Sequence, residues 1–150
     1  MNITLITGII FFALAQFSYA GDFITIDNSW VREVPPGSSV SAVYMTINNN
    51  GEDDRLVAIS SDISENAELH TSMVNENDVA SMEMMKVLDI PSGETVELKP
   101  GGMHIMLIGL KESLVDKKSV NLELTFEKAG LIDIEIPVKR SNYETHIHNH

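Results

Sequence analysis

From Phe23 to Val138 the apolar residues return at every second position, in short runs closed by Pro, Gly or Asn. That period belongs to strands, because successive side chains of an extended chain point to opposite faces and alternation marks one buried face and one wet one. Phe23-Ile24-Thr25-Ile26-Asp27 leads into Trp30-Val31-Arg32-Glu33-Val34 and the breaker Pro35-Pro36-Gly37. Val40 to Asn48, Leu56 to Ser60, Ala67 to Ser72, Met82 to Leu88, Thr95 to Lys99, Val120 to Glu127 and Leu131 to Val138 continue the pattern between turn signals. Met103 to Leu110 is almost continuously apolar, as expected of a strand covered on both faces. Eight or nine strands at even spacing, with no long helical period, predict an all-β sandwich or Greek-key barrel.

The two ends of the chain read differently. Residues 1–20 carry no charged side chain, include the apolar run Ile9 to Ala15, and finish on Ser18-Tyr19-Ala20, with small residues where a signal peptidase inspects the chain. This segment is expected to be a signal peptide cleaved before Gly21. Its apolar stretch is short for a membrane span of about 20 residues, so no stable membrane insertion is expected after cleavage. Residues 21–138 form the expected β-domain, and residues 139–150 a flexible polar tail ending in His146-Ile147-His148-Asn149-His150. The formal charge of −12 lies entirely after residue 20. Such acidity excludes nucleic acid and anionic lipid as natural partners, because both need a positive face.

No cysteine occurs in the chain, which removes disulfides, thiolate nucleophiles and blue-copper electron-transfer sites together. What the chain has instead is methionine, six of the eight lying between Met73 and Met106. Within that stretch His70, Met82, His104 and Met106 fall at the spacing His-x11-Met-x21-His-x-Met. Imidazole and thioether form a soft, uncharged donor set suited to Cu(I) rather than to zinc, magnesium or calcium. His104 and Met106 are two apart and so share a strand face, as do Met82 and Met84, while Ile105 and Leu107 are expected to pack on the other side. The competing reading makes the methionines ordinary core fillers. The three alternating histidines of the tail, with no sulfur beside them, suit a second, weak Cu(II) site.

Ala67-Glu68-Leu69-His70, Met82-Glu83-Met84-Met85 and above all Leu98-Lys99-Pro100-Gly101-Gly102-Met103-His104-Ile105-Met106-Leu107-Ile108-Gly109-Leu110 closely resemble the periplasmic copper(A) chaperone family. The resemblance continues through Ser29 to Arg32, Val43 to Met45, Asp54 to Val57, Leu122 to Phe126 and Ile136 to Val138. It implies a cupredoxin-like Greek-key β-barrel or sandwich that binds one Cu(I) per domain through His70, Met82, His104 and Met106. Thr71 stands where family members often carry methionine after the first histidine, and Met84 is the alternative to Met82.

The resemblance further implies a non-enzymatic, periplasmic metallochaperone delivering copper to cytochrome c oxidase, either to its copper subunit or to its assembly factors. The alternatives are a structural or adhesion β-sandwich with core methionines, and a periplasmic copper storage or detoxification protein. No Ser-His-Asp or carboxylate-rich catalytic arrangement stands out.

Overall fold

The computed structural model describes residues 23–74 and 80–140. The expected signal peptide and residues 141–150 of the expected tail lie outside these residues, whereas Lys139, expected as the first tail residue, ends a strand and pairs with Arg32. Among them ten strands form: β1 (Ile24–Arg32), β2 (Val40–Asn49), β3 (Asp54–Ser61), β4 (Ser64–Val74), β5 (Ala80–Met85), β6 (Leu88–Ile90), β7 (Thr95–Leu98), β8 (Met103–Leu110), β9 (Ser119–Phe126) and β10 (Gly130–Lys139). The spatial order is β5-β4-β8-β2-β1-β10-β9-β3-β6, with β7 paired to the far half of β2. All neighbours are antiparallel except β1 and β10, joined in parallel by Val31 with Val138 and Arg32 with Lys139. The path does not close, so β5 and β6 are edges and the all-β expectation is met as a sandwich.

Strand alternation supplies the core. Val43, Met45, Ile47, Leu69, Ile105 and Leu107 from one half meet Leu56, Val120, Leu122, Leu124, Phe126 and Ile136 from the other. Ile105 and Leu107 are wholly buried, as their alternation with His104 and Met106 predicts.

Two expected boundaries differ. The segments Phe23 to Asp27 and Trp30 to Val34 belong to one strand with a bulge between Asp27 and Trp30, where Asn28 takes a φ of 51°. Asparagine tolerates this left-handed conformation better than most residues. The extra residue inverts the alternation, so that Ile24 and Ile26 face inward before the bulge and Val31 after it, leaving Trp30 and Arg32 on the outer face. The expected single strand from Met82 to Leu88 is two, β5 and β6, which pair with different neighbours, β4 and β3.

Asp54 locks β3 to the turn between β9 and β10. Its carboxylate accepts backbone N–H bonds from Arg55 at 2.7 Å, Lys128 at 2.9 Å and Ala129 at 2.9 Å. Burial alone pushes this carboxyl up, but the three N–H donors and the Lys128 charge outweigh it and hold the carboxyl below its ordinary value of 3.8. A depressed folded-state value means stability that is full above the unfolded value and lost as pH falls through the folded one. Asp54→Ala is therefore expected to cost about 2 kcal/mol at neutral pH, since it leaves three partly buried backbone donors without their acceptor. The gap between wild type and variant in urea unfolding should narrow as pH is lowered from about 7 to about 2.5. An undiminished gap would assign the loss to packing and not to the carboxylate.

Candidate metal centre

The site is built on three adjacent strands, β5, β4 and β8. Antiparallel register sets His70 of β4 opposite His104 of β8, and opposite Met84 of β5 on its other side. One step along, Met106 lies opposite Glu68; one step the other way, Met82 lies opposite Ser72. All seven positions have the same parity in this register, opposite to that of Leu69, Met85, Ile105 and Leu107 in the core, and therefore share the outer face. Directly opposed side chains start about 5 Å apart at Cβ, and diagonal ones about 7–8 Å. His70 is thus the hub, with His104 and Met84 beside it and Met106 and Met82 on its diagonals. The four residues read from the sequence do occupy one face; the register adds Met84 in the same row as the two histidines.

The turn before His104 explains the Pro-Gly-Gly in its motif. Gly102 N–H bonds the Lys99 carbonyl at 3.0 Å, and Gly101 between them has a φ of 79°. Proline followed by a positive-φ glycine is the pattern of a type II turn. The turn leaves the Gly102 carbonyl 3.1 Å from His104 Nδ1. A carbonyl only accepts, so Nδ1 carries the proton and Nε2 keeps the lone pair. Metal-bound histidines are commonly oriented in this way.

His104 itself is 5% exposed. Its ring lies 6.0 Å from that of His70, stacked at 26°, and 6.4 Å from that of Tyr44. Tyr44 in turn meets Trp30 at 4.7 Å and lies under the Arg32 guanidinium at 5.4 Å, and Arg32 Nη2 donates to the Tyr44 hydroxyl at 2.5 Å. A row of rings thus covers one flank of the site.

His70 has a different environment. Its Nε2 lies 3.0 Å from a Glu68 oxygen, while its Nδ1 is buried with no hydrogen-bond partner. An unpaired buried polar atom ordinarily costs about 1–3 kcal/mol, a cost that a bound metal removes. Among the described residues no three His, Asp or Glu side chains gather as a metal site, and the soft donors beside the two histidines on this face are thioether sulfurs. The methionines divide clearly: Met45 is 2% exposed and belongs to the core, whereas Met82 is 60% and Met84 58% exposed. The core-filler reading therefore fails for Met82 and Met84, whereas Met85, the third methionine of β5, packs against the core. Donors of this kind fit a soft monovalent cation.

Trp30, Tyr44, Glu68 and the Gly102 carbonyl carry no role in the sequence reading. The Glu68-x-His70 spacing, which places both on one strand face, was the available signal for one of them.

The profile of the LpqE-like family, described as "Putative lipoprotein LpqE-like", matches residues 24–138. The chain belongs to the LpqE-like family. A protein of Leifsonia xyli subsp. xyli, described as "Putative lipoprotein Lxx21020", is 29% identical over 119 residues, spanning 79% of this chain and 70% of the relative. The solution structure of Cu(I)-DR1885 from Deinococcus radiodurans superposes with a TM-score of 0.60 at 29% identity, over 77% of this chain and 76% of that one. The copper-bound PCuAC domain from PmoF2 superposes with a TM-score of 0.67 at 23% identity, over 79% and 94% of the two chains, a likeness of fold. The resemblance to the copper(A) chaperones and the cupredoxin-like all-β architecture are both borne out.

In this LpqE-like domain the Arg32–Tyr44 contact should stabilise the flank of the site independently of any metal. Tyr44→Phe deletes the hydroxyl and leaves the ring stack, so it is expected to lower stability by about 1–2 kcal/mol in urea unfolding. A loss near zero would show that the hydroxyl contact adds nothing to the ring packing.

Proposed function

We propose that this domain is a copper carrier outside the cytoplasm, holding one Cu(I) as cargo between His70, His104, Met106 and a β5 methionine. The observation that carries the reading is the unpartnered buried Nδ1 of His70, set beside His104 on a face lined with exposed thioethers. Likeness to domains whose own descriptions include bound copper supports it. Neutral nitrogen and sulfur ligands satisfy a soft cation without the thiolate charge that would retain it more strongly. Exposed methionines suit a carrier for a second reason: an acceptor's ligands can replace an exposed sulfur first, so transfer can run by stepwise exchange.

The acceptor we propose is cytochrome c oxidase, through its copper subunit or its assembly factors, with storage or detoxification as the competing role. Export through residues 1–20 and a periplasmic location belong to the same reading, and the lipoprotein description of the family agrees with an envelope protein. The domain acts as a binding protein, not an enzyme. The tail histidines, His146, His148 and His150, form a second and weaker site that favours Cu(II).

Competition titration against a Cu(I) chelator tests the main site. His104→Ala and Met106→Leu should each abolish tight binding of one Cu(I) with the fold retained by circular dichroism; wild-type affinity in both would sink the assignment. Motif spacing selects Met82 as the fourth donor, whereas the register favours Met84, which lies directly beside His70. We expect Met82→Leu to weaken Cu(I) and Met84→Leu to leave it nearly unchanged; the reverse result would mean that register decides. Truncation after Arg140 should spare Cu(I) and reduce Cu(II) uptake, and equal Cu(II) uptake would remove the tail from the account.

A further inference from the structure

We infer that Glu68 is a positioning residue for the copper site, fixing His70 in the tautomer that ligates through Nδ1, so that the two histidines offer opposite ring nitrogens. The inference rests on the copper reading of the site and adds to it a residue and an atom-level assignment.

Glu68 and His70 are two apart on β4 and therefore emerge on the same face. A carboxylate is an acceptor only, so the 3.0 Å contact places the proton on His70 Nε2. The remaining lone pair is then on Nδ1, the atom that is buried and without a partner. If the ring were turned over, the carbons Cδ2 and Cε1 would take the places of Nδ1 and Nε2, and the carboxylate would lose its donor. Glu68 thus makes one of two ring orientations strongly preferred before metal arrives. On His104 the assignment is the opposite one, because the Gly102 carbonyl takes the Nδ1 proton and leaves Nε2 free. The pattern matches the general arrangement in which a ligating imidazole donates its other N–H to a carboxylate or a carbonyl. Here one partner of each kind is used. Glu68 also stands opposite Met106, so its negative charge sits on the rim of the proposed donor set and offsets the single charge of Cu(I).

Long-range proton–nitrogen NMR correlations of the imidazoles test this in the wild-type protein. Metal-free His70 should be protonated at Nε2, and on addition of Cu(I) its Nδ1 resonance should be the one that shifts; an Nδ1–H tautomer, or ligation through Nε2, would overturn the proposal. Glu68→Leu should weaken Cu(I) by about ten- to a hundred-fold. Glu68→Gln, which retains an acceptor oxygen, should recover most of that loss. An unchanged affinity in a folded Glu68→Leu protein would also overturn the proposal. His104→Ala serves as the separate check on the underlying reading. If it binds Cu(I) as the wild type does, the copper site itself fails, while the metal-free tautomer of His70 still decides the assignment made here.

Discussion

The pairing of β4 with β8 is the constraint on which everything at this site depends. It sets His70 against His104 and Leu69 against Ile105 in consecutive rungs, so one ladder makes both the metal face and part of the core. Because side chains alternate strictly, a slip of one residue would turn His70 inward and carry Leu69 out to water. Burial of Leu69, Ile105 and Leu107 therefore holds the histidines in place even though neither histidine belongs to the core. The hydrophobic effect fixes the register, and the register fixes which side chains share the face of the proposed donor set.

The two faces of β8 also explain how a soft metal site can sit on a stable scaffold. The inner face is closed and dry; the outer face is graded from Tyr44 and His104, both nearly buried, to Met84 and Met82 on the edge strand, both more than half exposed. His104, near the centre, is held by the Tyr44 ring and the Gly102 carbonyl, while the proposed thioether donors at the edge stand exposed. That gradient suits the proposed carrier role, in which cargo is held from one side and released from the other. An edge strand is ordinarily a hazard for unwanted pairing, and here its exposed position coincides with the proposed point of transfer.

Much of this was legible beforehand. Alternation located the strands, and the two-residue spacing of His104 and Met106 placed both on one face with Ile105 and Leu107 behind them. Two features escaped. The bulge at Asn28 was hidden because a single inserted residue leaves the alternation on either side intact while inverting its sense. The break between β5 and β6 was hidden because a change of partner strand leaves no mark on local periodicity.

The sequence by itself determined the fold class and the candidate donors: strand periodicity, the absence of cysteine, the methionine cluster, the His and Met spacing and the Pro-Gly-Gly turn before His104 are all properties of the chain read in order. Only the tertiary structure decided which groups surround those ligands. The stacking of His70 on His104, the Arg32–Tyr44–Trp30 flank, the unpartnered Nδ1 and the proximity of Met84 to His70 all depend on which strands lie side by side. Strand neighbours are chosen by the burial of apolar faces far apart in sequence, and that choice is a property of the whole core, so no local pattern can announce it.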